Sequence, residues 1–371
     1  MDPRTVTRSP PRSVVEFASI GVLLSLLTVA ETVLSDALRE LLERSAYYVT
    51  SHLYGTIVFG AIGLTVLGIG FFVHRRIVTR PDQLDEARPI QPLLALALLV
   101  VGGSYAVSNL TTPSASLFQS FAVSVVGMGG LSVAYARVRE TELRITISES
   151  PARRTIVIAG LGPALLVGLS FLGWEWVGSP QSVFGRPYLG TVSILDIGQY
   201  AVVTSVFAAF GAGLLFHGVI QERIRECTTS TGAIAGITVL VSLHRWMTPR
   251  LIALDRVVLL LAILPTIALI VLGSALVVRL GQTLDRTVRD DRSTDAAAAV
   301  VGLLVMALVL GVWHGLLGIS SAWLGGYTLV YSATIGIASV TYERTRSVWT
   351  PMLAILSFYV SADVAPYLVL S

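Results

Sequence analysis

Apolar runs recur along almost the whole of this chain, and the short stretches between them carry arginine. A helix needs about 20 mostly apolar residues to cross the hydrocarbon of a bilayer, and many of these runs reach that length. A transmembrane β-barrel would instead show ~10-residue segments of alternating polarity, a pattern missing here. Charged residues make up 13% of the chain, against about 25% in ordinary soluble domains, so little charge is left to cover a water-facing surface. The expected fold is all-α: a polytopic transmembrane helix bundle of about 11 spans with a cytoplasmic N-terminus.

The expected spans are Val14 to Leu34, Tyr54 to Val73, Pro92 to Asn109, Leu117 to Ala136, Thr155 to Trp174 and Ile197 to Ile220. Gly232 to Met247 is short for a span and could be re-entrant or tilted. Val257 to Val278, Ala296 to Leu317, Leu324 to Thr341 and Val348 to Leu370 complete the set. Every basic residue is arginine, and alternating the spans puts 20 of the 26 on the cytoplasmic side. Arg39, Arg44, Arg186, Arg245, Arg250 and Arg256 remain outside, an imbalance of the kind the positive-inside rule requires. The basic charge therefore reads as topology and points away from nucleic acid. The N-terminal run is long for a secretory signal and has no clear cleavage site after it, so it reads as a retained span. The expected setting is the plasma membrane, crossed many times. Glu142 to Arg154 reads as interfacial, dividing a four-span region, residues 1–140, from residues 141–371.

The lone cysteine, Cys227, excludes an intramolecular disulfide and a cysteine-based zinc cluster. Ionisable groups within spans are costly in hydrocarbon and mark candidate sites. Here they are Glu31, His217, His244, His314 and Asp363, with Glu175 and Asp196 at the edges of a loop. Three neutral imidazoles could hold a zinc ion with one open position, although a histidine in a helix bundle can equally be a hydrogen-bonding packing residue. The expected depths of the three disagree, with His217 towards the cytoplasmic side and His244 and His314 towards the outer side. Trp174, Trp176, Trp246, Trp323 and Trp349 fall near span ends, as interfacial anchors do.

The stretch Leu214-Leu215-Phe216-His217-Gly218-Val219-Ile220-Gln221-Glu222-Arg223 resembles the first signature of the CPBP intramembrane proteases, a family of CAAX prenyl endopeptidases and bacteriocin-processing relatives. That signature reads something like EELLFRGVIQERLR. Gly336 to Val360 resembles the family's closing stretch, GxxxGxxYERTGSLWxPILAHALYN. The two likenesses frame residues 141–371 as a CPBP-like core; the first four spans carry no recognisable motif. The resemblance implies metal-dependent endoproteolysis, in which paired glutamates activate water and histidines with an Asn or Asp complete the metal and oxyanion site.

This chain departs from the pattern at those positions. Ala212 and Gly213 stand where the glutamates would be, His217 replaces the arginine, Ile355 the closing histidine and Tyr359 the Asn. The middle motif, Phe-x-x-x-His, has two registers, Leu240 to His244 and Leu310 to His314. Downstream spacing favours His314, which would make the seventh and eighth spans an insertion.

Three functions follow as expectations. The first is a catalytically impaired CPBP homologue that binds a membrane peptide or another membrane protein, with no cofactor. The second is an active protease with a rebuilt zinc site on His217, His244 and His314, its base supplied by Asp363 or Glu222. Against that base, Glu222 reads as a solvated glutamate beyond the membrane. The third is a transporter or permease. The lipid bilayer is a partner in all three.

Overall fold

The computed structural model principally describes residues 153–174, 202–227, 229–252, 291–317 and 322–370, with 120–130, 143–145 and scattered positions elsewhere. Among these residues every regular element is helical. The helices are α1 (Arg153–Trp174), α2 (Thr204–Ala212), α3 (Glu222–Cys227), α4 (Ser230–Ile252), α5 (Asp291–Leu317), α6 (Ala322–Thr345) and α7 (Trp349–Leu370). Two segments are π-helical: Phe121–Gly129, and Gly213–Gln221, which joins α2 to α3 in one continuous rod. Four of the expected spans, the fifth, ninth, tenth and eleventh, coincide with α1, α5, α6 and α7 to within a few residues. The sixth is matched by the rod from Thr204. The first three and the eighth lie outside the described residues, apart from isolated positions.

Among the described residues two helices, Arg153–Leu172 (20 residues) and Thr204–Arg225 (22 residues), are long and apolar enough to cross a membrane. The segment expected to be short is a continuous helix of 23 residues, α4, about 34 Å at 1.5 Å per residue. Thr229 starts it: its hydroxyl accepts the Gly232 N–H at 3.3 Å and its carbonyl the Ala233 N–H at 2.9 Å, supplying acceptors for free helix-start donors.

At the other connection α6 stops at Arg346, which adopts φ 53° and is the one non-glycine residue in the left-handed region among the described residues. Its N–H closes the helix on the Tyr342 carbonyl at 2.7 Å. That is the usual geometry of a helix end, though the position normally favours glycine. The Ser347 hydroxyl then faces the Trp349 N–H at 3.5 Å as α7 begins.

Helix α4 lies at the centre. It packs against α5, α6, α3 and the Gly213–Gln221 segment, and Ala233, Ile234, Ala235, Ile237, Val239 and Leu243 are fully or almost fully buried. Small residues make this possible. A side chain at Gly302 of α5 would press on Thr238, and one at Gly336 of α6 on Ala299, so the backbones approach closely, as helices in lipid do. Hydroxyls inside the bundle bond back to their own helices: Thr238 to the Ile234 carbonyl at 2.7 Å, Ser339 to that of Ile335 at 2.7 Å, Ser332 to that of Thr328 at 2.6 Å. They are satisfied without water.

Helix α7 packs on α1, α6 and α2, and the Phe121–Gly129 segment of the expected fourth span packs on α2. At that crossing Gly211 is required, because any side chain there would run into the Ser124 carbonyl. The contacts also fix which helix ends lie together. Arg344, at the end of α6, meets Asp295, at the start of α5, at 3.5 Å; Arg225, at the end of α3, meets Glu343 at 3.5 Å. The arginine-bearing ends of α3, α5 and α6 thus gather at one end of the bundle.

Candidate functional site

The site grows from the π-helical turn. His217 is fully buried there, and its Nδ1 lies 2.7 Å from Gln221 Oε1, four residues on. The Gln221 amide nitrogen donates to the Ser339 carbonyl and to Glu343 Oε1, both at 3.1 Å. With both its N–H groups directed at acceptors, Gln221 presents only its oxygen to His217. The network therefore assigns the imidazole proton to Nδ1. Among the described residues Nε2 is left as a buried acceptor with no hydrogen-bond partner.

From Glu343 the network runs outward. Its Oε2 lies 2.7 Å from Arg346 Nη2 and 3.5 Å from Arg225 Nε, contacts of charge rather than aligned hydrogen bonds. Glu222 accepts from Arg225 at 3.2 Å, from Arg346 at 3.4 Å and from the Tyr342 hydroxyl at 3.2 Å. The expectation of a solvated Glu222 gives way here: its side chain is 13% exposed and tied to three neighbours. Burial holds the Glu343 carboxyl above the ordinary carboxylate range, with Arg346, the Gln221 hydrogen bond and Arg225 pulling it down. Two carboxylates and two guanidiniums thus neutralise one another where α3 meets α6.

The motif positions lie nearby but carry no chemistry of their own. Ala212 is buried, and a side chain on Gly213 would run into Met352 of α7. A side chain on Gly218 would press on Val348 at 3.1 Å and Leu143 at 3.3 Å. Ile355 is fully buried in the apolar core. Tyr359 is partly buried and stacks in an aromatic cluster, its ring centroid 5.4 Å from Phe358 and 6.3 Å from Tyr331. The space around the motif is filled by packing.

His244 lies on α4 and His314 on α5; their side chains are outside the described residues. Helix α4 packs directly on the π-helical segment of His217, whereas α5 packs on α4 and α6. Asp363 is partly buried on α7 and interacts with a neighbour. Glu31, Glu175 and Asp196 lie outside the described residues.

Among the described residues, the polar groups around the His217 imidazole are one carboxamide and two carboxylates already compensated by arginine, and no cluster of three metal-ligating side chains occurs. Their arrangement suits holding two helices in register, with one buried acceptor left over. Sequence reasoning singled out His217 but passed over Gln221, Tyr342, Glu343 and Arg346. The readable signal was spacing: His217 and Gln221 are four apart, on one helix face, and Glu343 and Arg346 are three apart.

No protein-family model matches this chain, and no curated protein or solved structure does.

Proposed function

We propose that this chain is a multi-pass membrane protein on a CPBP-protease-like scaffold that has given up proteolysis and acts by binding a membrane peptide or another membrane protein. The observation that carries the reading is the state of the motif segment. The two positions that would bear the water-activating glutamates are a buried alanine and a glycine pressed against Met352. The carboxylates nearest to it, Glu222 and Glu343, are bound to arginines. A general base needs a free lone pair beside a water or substrate; Glu222 is hydrogen-bonded to arginine, and the Glu343 Oε2 lone pair is buried between the Arg225 and Arg346 guanidiniums, which oppose its protonation. In this reading α4 belongs to the core, and its packing on the His217 segment supports the Leu240 to His244 register of the middle motif over the Leu310 to His314 register that downstream spacing favours.

The wider layout of about 11 spans with arginine-rich ends in the cytoplasm of a plasma-membrane protein belongs to the same proposal. It is supported by the clustering of the arginine-bearing ends of α3, α5 and α6 at one end of the bundle. The test uses the purified full chain in detergent, assayed for bound zinc and for cleavage of prenylated and transmembrane peptides. The expected result is no chelator-sensitive cleavage, together with retention of a hydrophobic helical peptide. Stoichiometric zinc and chelator-sensitive cleavage, both lost in a His217, His244 and His314 triple alanine variant, would overturn it in favour of a rebuilt protease.

A further inference from the structure

Two populations of arginine occupy the charged end of the bundle. Arg225, Arg344 and Arg346 are ion-paired with Glu222, Glu343 and Asp295. Arg144, Arg153 and Arg154 have no ion-pair partner among the described residues, and Arg153 and Arg154 are exposed.

The unpaired three share a corner. The Arg144 carbonyl accepts the Val348 N–H at 3.2 Å, and the Ile145 carbonyl accepts the Trp349 indole N–H at 2.6 Å. This pins the segment before α1 to the start of α7. Helices α1 and α7 then run side by side, with Gly160 against Leu353 and its carbonyl accepting the Ser357 hydroxyl. At that offset Arg153 and Arg154 stand level with the first turn of α7, where Trp349 is 44% exposed.

Immediately beyond the arginines the outer face of α1 is an unbroken apolar stripe. Val157, Leu161, Leu165 and Leu169 recur every fourth residue, the leucines 58 to 63% exposed. Unpaired guanidiniums, an exposed indole and then a strip of leucine are what a phospholipid meets in sequence from phosphate to acyl chain. From Arg137 to Arg154 the sequence holds five arginines against Glu140, Glu142 and Glu149, so the segment is net basic.

We propose that this corner binds an anionic phospholipid, its headgroup held by Arg144, Arg153 and Arg154 beside Trp349 and its acyl chain lying along the α1 stripe. The inference rests on the membrane reading above and adds to it a lipid class and a place.

The test incubates the full chain in mixed micelles of equal phosphatidylglycerol and phosphatidylcholine and reads retained lipid by native mass spectrometry. Wild type retains phosphatidylglycerol preferentially, and Arg144→Gln, Arg153→Gln and Arg154→Gln together reduce the preference by about tenfold or more. Arg154→Gln alone, at an exposed position, reduces it severalfold and guards against misfolding of the triple variant. Arg344→Gln, which breaks a paired arginine, leaves it unchanged. Equal retention of the two lipids by wild type, or an unchanged preference in the triple variant, would overturn the lipid site. So would displacement of the bound lipid by millimolar inorganic phosphate, which would point to an anion site instead. Failure of the chain to enter vesicles of either composition would remove the membrane reading itself, a separate outcome.

Discussion

Among the described residues, the two helices both long and apolar enough to cross a bilayer live in opposite surroundings. Arg153–Leu172 is the more apolar by mean hydropathy, yet only 28% of its span is buried in the protein; Thr204–Arg225 is the less apolar and is 72% buried. In a water-soluble bundle the order is reversed, because the most apolar helix goes to the centre. The inversion follows if lipid is the solvent. Leucine then gains nothing by leaving the outside, and interior positions go to residues that let backbones approach or carry hydrogen bonds. The rod from Thr204 holds Gly211, Gly213, Gly218, His217 and Gln221; the outer face of α1 holds leucine. Helix α5 repeats the outer pattern, with Val300, Leu304 and Leu308 exposed at four-residue spacing.

The contrast can be broken or sharpened by substitution, read as thermal unfolding in detergent. The largest effect is expected at the inner crossing. Gly211→Ala drives a methyl into the Ser124 carbonyl, where backbone and not a flexible side chain must yield; a loss of about 3 kcal/mol is expected. Unchanged stability would mean that the crossing is looser than described.

Next is Glu343→Ala, which strands the Gln221 amide and two guanidiniums. Because Arg225 and Arg346 are 35% and 26% exposed, water softens the loss to about 2 kcal/mol. A double-mutant cycle with Arg346 should give a non-zero coupling, whereas purely additive losses would show that the pair does not interact.

Arg346→Gly sets two terms against each other. The left-handed backbone is relieved by roughly 1 kcal/mol while the ion pairs to Glu222 and Glu343 are lost, so a net change within about 1 kcal/mol is expected. A large gain would mean that the ion pairs contribute nothing.

The smallest effect belongs to the outer stripe: Leu165→Ala should cost less than about 0.5 kcal/mol. A loss of about 2–5 kcal/mol, typical of a buried leucine, would show that the face is covered by protein and would end the comparison.

The sequence carried the helical class and most of the described helix positions, because long apolar runs bounded by arginine are legible as helices of bilayer-spanning length. It also carried the start of α7, expected at Val348 and found at Trp349, whereas α6 runs to Thr345, beyond the expected Thr341. It did not carry which spans are inside. Helix α4 reads as the weakest span because its apolar run, Gly232 to Met247, is short; the Thr, Ser, Gly and Ala it also holds are the composition of a helix surrounded by other helices. The site was half legible. An imidazole in an apolar run stands out, but Glu222 and Glu343 sit 121 residues apart at span ends where a solvated glutamate is the ordinary expectation. Only the approach of the end of α6 to the start of α3 turns them into one network.

The π-helical segment Gly213–Gln221 has a bearing on how this rod tolerates length change. A π turn accommodates a residue that an α-helix of the same pitch would not, and each residue of an α-helix turns the chain by about 100°. The segment therefore acts as a phase shifter. At its start, Gly211 and Gly213 are aimed at Ser124 and Met352; at its end, Gln221 and Glu222 are aimed at Ser339 and Tyr342. Deleting one residue within it would leave a good α-helix, long enough and apolar enough, whose two ends could no longer both face their partners. In this rod, rotational register constrains insertions and deletions more tightly than length or hydrophobicity does.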